Sequence, residues 1–163
     1  MVLPFITLAL GAALTYSLTL LAEKRRTQRE DDQRWHTELR LEAAQLVSLA
    51  HRSDLNAPDL NDARAEMTDD QDADTIRDYL KYSGIAIALM TEIYLVNSTI
   101  KIIASSKVAA EANKLTDVVA ESIDNYSAES SKKVDVVIKS FLLVVRSTLG
   151  VSDEQEKNKK STP

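Results

Sequence analysis

The sequence predicts an all-α protein: an N-terminal transmembrane helix followed by an antiparallel helical bundle of about four helices. Three observations carry that expectation. The 163 residues include only Gly 3 and Pro 3, too few turn residues for the many corners of a sheet protein. Residues 2–22, VLPFITLALGAALTYSLTLLA, hold no charged side chain. Downstream, apolar residues recur at alternating spacings of three and four, the period of helix faces that pack on one another.

The first element, residues 1–22, reads as a membrane anchor. At about 1.5 Å per residue the uncharged run is long enough to cross a hydrocarbon core. A cleaved signal peptide needs a basic stretch before the apolar run and a small-residue cleavage site after it. Here no Lys or Arg precedes the run, and Glu23, Lys24, Arg25 and Arg26 follow it at once. By the positive-inside rule Lys24, Arg25, Arg26 and Arg29 set the topology: single-pass in the cell membrane, N-terminus outside, the rest of the chain cytoplasmic. Glu23, Glu30, Asp31 and Asp32 dilute the basic cluster, so the expected membrane partner is the lipid bilayer itself rather than a specific headgroup. Thr7, Gly11, Thr15 and Thr19 recur every four residues, a candidate packing face for a second transmembrane helix.

Residues 23–53 follow as a juxtamembrane amphipathic helix with Trp35, Leu39, Ala43, Leu46 and Ala50 along one face. Trp35 sits at a seam position and is a candidate for two roles, a core side chain or an anchor for a protein partner. Asp54, Asn56 and Pro58 predict the end of that helix, and residues 54–73 read as a polar linker with room for a short helix over 60–67.

The bundle hairpins are expected over 74–150, packing with 30–53. Tyr79, Tyr82, Ala86, Leu89, Ile93, Val96, Ile100 and Ile103 form the most regular seam in the chain. Ser105 and Ser106 interrupt it and are suited to cap a new helix. That helix carries Val108, Ala112, Leu115, Val119, Ile123 and Tyr126, and the polar stretch 127–131 makes a second corner. Val134, Ile138, Phe141, Val145 and Leu149 form the last face, with Gly150 placed for a left-handed C-terminal cap. Residues 151–163 have too little apolar surface to fold and are expected to be disordered.

Residues 84–104 raise the question of a second span. Glu92 and Lys101 would each oppose insertion by roughly 2.5–3.5 kcal/mol near a bilayer centre. Gly84, Thr91 and Ser98 also line up seven residues apart, as on a bundle helix with one wet side. A buried bundle helix is the expectation.

Site chemistry has little foothold in this composition. With Cys 0 there is no disulfide, thiolate ligand or cysteine nucleophile. The acidic run Asp69, Asp70, Asp72, Asp74 and Asp78 opens like a calcium loop. Counted from Asp70, however, the sixth position is Thr75 rather than Gly, and the twelfth is Lys81 rather than Glu. These carboxylates are better suited to stabilising a helix N-terminus. His36 and His51 stand roughly 22 Å apart along one helix, too far to share a metal. Glycines are too scattered for a phosphate-cradling loop, and no serine lies in a G-x-S-x-G turn. Net charge −5 and the interleaved acids around both basic clusters argue against nucleic acid. No catalytic, cofactor-binding or metal-binding residue is predicted.

The uncharged membrane helix, the juxtamembrane helix with Arg34, Trp35 and Arg40, and the closing Phe141, Arg146, Leu149 and Gly150 together resemble a group of uncharacterised bacterial proteins. These are the small single-pass membrane proteins of unknown function predicted in actinobacteria and their phages. The resemblance spans the membrane helix to Gly150 and implies an architecture, not an activity. It departs at Glu30, Asp31 and Asp32, where a purely basic run is more typical of the group.

The functional expectation is therefore a membrane-anchored, non-enzymatic helical interaction module or scaffold that binds a protein partner or forms a homo-oligomer. Two alternatives stand beside it. One is a membrane-tethered, ligand-responsive sensor or regulator in which Tyr79, Tyr82, Met90 and Tyr94 line a site for a small apolar molecule. The other is a phage-related envelope-modifying protein.

Overall fold

The computed structural model describes residues 3–67 and 72–151, the backbone alone for residues 3–22, 25 and 28–32. Among the described residues the protein is all-α, with helices α1 (Leu3–Ala65), α2 (Ala73–Ile103), α3 (Ser106–Asp124) and α4 (Ala128–Thr148). The chain divides into two units, Met1–Thr37 and Glu38–Pro163.

In the first unit the described backbone is helical, and Lys24 and Arg26 are exposed. The side chains of Thr7, Gly11, Thr15, Thr19, Arg25 and Arg29 lie outside the described residues, as does the tail 152–163. Trp35 is half-buried, its ring centroid 5.0 Å from that of His36 with the planes tilted by 49°.

The second unit is a four-helix bundle whose interior is lined by the predicted seams. Leu39, Ala43, Leu46 and Ala50 of α1 are buried, and Leu39 rather than Trp35 is the first fully buried side chain of that face. From α2 come Ala86, Leu89, Ile93, Val96 and Ile100, from α3 Val108, Ala112, Leu115, Val119 and Ile123, and from α4 Val134, Ile138, Phe141 and Val145. Cross-links between helices fix the hairpin directions. Ser140 Oγ of α4 donates to Glu111 Oε2 of α3 at 2.9 Å, while Lys133 Nζ lies 3.8 Å from Glu121 Oε1, so α3 and α4 run antiparallel.

The helix ends follow the local chemistry. Asp72 caps α2, accepting from the Thr75 amide at 2.8 Å, and the rest of the described acidic run sits in the first turns, where Asp74 pairs with Arg77 at 2.7 Å. Ser127 and Ser130 form a reciprocal capping box at the start of α4. Gly150 adopts φ +67, and the bonds Gly150 N to Ser147 O (3.3 Å) and Val151 N to Arg146 O (3.0 Å) complete a Schellman motif. Ser105 occupies the N-cap position of α3, but its side chain makes no capping bond, contrary to the role the sequence assigns it.

The largest correction concerns residues 54–73. The stretch read as a linker is helical through Ala65, with Pro58 inside α1. Proline removes one backbone donor and crowds the preceding turn, a penalty of about 3 kcal/mol. Packing outweighs it: Ser53, Ala57, Leu60 and Ala63 continue the buried face at helical spacing. Asp54 is also tied to the α3–α4 corner, its Oδ2 accepting from Ser131 Oγ at 2.7 Å and its Oδ1 from Ser122 Oγ at 3.4 Å. Small alanines and one bonded aspartate made a core segment look polar.

Two outcomes follow. Phe141 is fully buried whereas Leu143, two residues on, is exposed. Urea unfolding should show Phe141→Ala destabilising the bundle by about 3–5 kcal/mol and Leu143→Ala by less than about 0.5 kcal/mol. The Asp72 carboxyl is held below its ordinary 3.8 mainly by the Thr75 backbone amide. A depressed folded value means the cap contributes fully above pH 3.8 and is lost as pH falls through the lower folded value. The Tm difference between wild type and Asp72→Ala is thus expected to be constant near neutrality and to shrink in that acid window.

Candidate functional site

An apolar groove of the bundle lies where α1, α2 and the end of α3 meet. Leu60 and Arg64 come from the last turns of α1, Tyr79, Ile87, Met90 and Tyr94 from successive turns of α2, and Ile123 and Asp124 from the end of α3. The volume is about 390 Å³, at the lower end of the ~300–1,000 Å³ range of small-molecule sites.

Of the four residues that the sequence suggests for an apolar ligand, the structure brings together Tyr79, Met90 and Tyr94. Tyr82 stands apart. Lys81 Nζ lies over its ring at 4.7 Å, and its backbone carbonyl accepts from Asn56 Nδ2 at 3.4 Å. Arg64 is the polar feature of the groove that sequence reading missed. Its Nη1 donates to the Asp124 carbonyl oxygen at 2.7 Å, holding the guanidinium at the negative end of the α3 dipole. Nothing in the local sequence signals that partner, which is 60 residues away.

The groove offers aromatic and aliphatic walls, phenol hydroxyls and a fixed cation, a set suited to holding a flat apolar molecule with an acceptor group. Among the described residues, no group of three His, Cys, Asp or Glu side chains is placed to hold a metal ion. A shallower groove between α3 and α4, about 400 Å³, has a valine floor of Val118, Val136 and Val137, with Lys114, Lys132, Lys133 and Glu129 around it.

A second feature is the outer face of α2. Opposite the buried seam, Leu80 is 62% exposed, Ile87 68%, Tyr94 54%, Leu95 69% and Ile102 84%. The sequence reading took this side for a wet strip because Gly84, Thr91 and Ser98 fall on it, and all three are indeed exposed. The large side chains between them were the available signal. By length and composition α2 is apolar enough to cross a membrane, with 33% of that stretch buried, a test that core helices of bundles also pass.

Comparison with protein-family models, with curated proteins and with solved structures finds no match.

The groove makes one direct prediction. An aromatic probe such as 1-naphthol, titrated into the full chain, should raise Tm in proportion to occupancy. Met90→Trp, which fills the groove from the α2 side, should abolish that rise while leaving the unliganded protein folded by circular dichroism.

Proposed function

We propose that this chain is a single-pass membrane protein whose cytoplasmic helical bundle is a non-enzymatic interaction module for a protein partner or for another copy of itself. The observation that carries the proposal is the outer face of α2, where five large apolar side chains along one helix remain open to water. Exposed apolar stripes of that extent mark association surfaces. The anchor is supported by the uncharged run 2–22 and by Lys24, Arg25, Arg26 and Arg29 directly after it. Thr7, Gly11, Thr15 and Thr19 offer a second place where two anchors can approach closely.

A second function is favoured by one specific observation: Tyr79, Met90 and Tyr94 converge on the α1–α2–α3 groove with Arg64 at its edge. In that case the bundle senses a small apolar ligand, and association through α2 is what the ligand regulates. Ile87, Thr91 and Tyr94 belong to the groove and also border the open face, so occupancy would be felt there.

The topology and the interaction can be tested together in intact cells. A C-terminal alkaline phosphatase fusion should be inactive and a C-terminal fluorescent-protein fusion bright, and photo-crosslinking from position 95 should yield a discrete adduct. An active phosphatase would place the bundle outside. A correctly placed bundle that forms no adduct from position 95 would remove the interaction module.

A further inference from the structure

The open face of α2 has a period of its own. Gly84, Ala88, Thr91, Leu95, Ser98 and Ile102 are spaced by four, three, four, three and four residues, a heptad seam opposite the buried one. It runs for 19 residues, about 27 Å of helix. We infer that this seam pairs with the same seam of a second copy, antiparallel, across a two-fold axis level with Ile93. The inference rests on the interaction-module function proposed above and names its partner.

Four observations support a second copy as the occupant. The first is fit. In the antiparallel register centred at residue 93, Ile102 faces Gly84, Leu95 faces Thr91 and Ala88 faces Ser98. Two layers set a larger side chain against a smaller one and the Ala88–Ser98 layer sets two small ones together, and the symmetry repeats every layer on the other side of the axis. A self-complementary patch of this kind is what a two-fold interface requires.

The second is Gly84. A glycine in a helix interior is unfavourable by roughly 1 kcal/mol relative to alanine. A Cβ at Gly84 would have nothing within 4 Å, so no packing within the chain calls for the glycine. In the paired register the space above it receives Ile102, which is 84% exposed in the single chain.

The third is area. Leu95 and Ile102 of the seam are 69% and 84% exposed, and Leu80, Ile87 and Tyr94 along its flank are each more than half exposed. A continuous apolar face larger than a few hundred Å² marks an interaction surface, and this one runs from the seam onto its flank.

The fourth is charge. Within the seam from Gly84 to Ile102 no position is charged, and the nearest carboxylate, Glu92, lies on its flank. A lipid-facing surface would have no use for a centre of Gly, Ala, Thr and Ser. A paired helix needs such small residues for its backbone to come close. Glu92 meets its own copy near the axis, so it opposes the pairing and limits its strength.

The test uses the full chain in native membranes and in mild detergent. Because the protein contains Cys 0, single introduced cysteines report without background. Chains carrying Thr91→Cys mixed with chains carrying Leu95→Cys should form the mixed disulfide dimer in preference to either like pair. By sedimentation in detergent the wild type should be a dimer. Gly84→Ile should be monomeric and remain folded by circular dichroism, since the added side chain enters open space in the single chain. Adding Ile102→Gly to Gly84→Ile exchanges large for small and should restore the dimer, and Glu92→Gln should tighten it by twofold or more.

Preferential like-with-like disulfides, or a dimer untouched by Gly84→Ile, would overturn the antiparallel seam. A cross-linked adduct to a different protein from position 91 or 95, with no self-dimer, would overturn self-pairing while leaving the interaction module standing. Absence of every adduct would remove both.

Discussion

The structure depends on the burial of one seam, the Ala86, Leu89, Ile93, Val96 and Ile100 face of α2. This helix is the most apolar of the four and would be insoluble alone; α3 in particular covers it. The α2–α3 register has a polar check. Asn97 is buried in the seam, and its Nδ2 donates to Asn113 Oδ1 of α3 at 2.9 Å. A buried amide is satisfied in one register and stranded in the others, so it selects alignment at some expense in stability. The expense is visible, because Asn97 Oδ1 has no partner among the described residues.

From that seam the remaining elements follow in order. α3 and α4 close as a hairpin with a capping box at the corner and a Schellman motif at the end. α1 lies over the hairpin ends, where Asp54 takes two serine hydroxyls and Arg64 reaches the Asp124 carbonyl. These tertiary bonds, with the buried Ala57 and Leu60, carry the helix through Pro58. The groove of Tyr79, Met90 and Tyr94 lies where α1, α2 and the end of α3 meet.

Much of this was legible in the sequence, and the failures have physical causes. The seams of α2, α3 and α4 could be read because large apolar residues at a period of 3.5 have no competing explanation. Gly150 could be read because left-handed backbone after an apolar helix favours glycine. Residues 54–65 were misread because alanine scores weakly in a polar context, and because the partners of Asp54 and Arg64 are 60 or more residues away. Ser105 shows the reverse error: a suitable residue at a helix start does not oblige its hydroxyl to bond. In the candidate site, Tyr79, Met90 and Tyr94 of the four residues expected from the sequence line the groove and Tyr82 does not, whereas Arg64 carried no sequence signal. On the outer face of α2 the sequence expectation rests on Gly84, Thr91 and Ser98 alone, and Leu80, Ile87, Leu95 and Ile102 carry no expectation of their own.

α2 thus carries one apolar seam covered within the chain and a second apolar face open to water. Cysteine scanning along α2 with a charged, water-borne maleimide measures this directly. Positions 89, 93, 96 and 100 should be protected at every protein concentration, and positions 88, 91, 95 and 102 only at concentrations where the chain pairs. Uniform protection of the whole helix, as a membrane span would give, or labelling without a period of 3.5 residues, would contradict it.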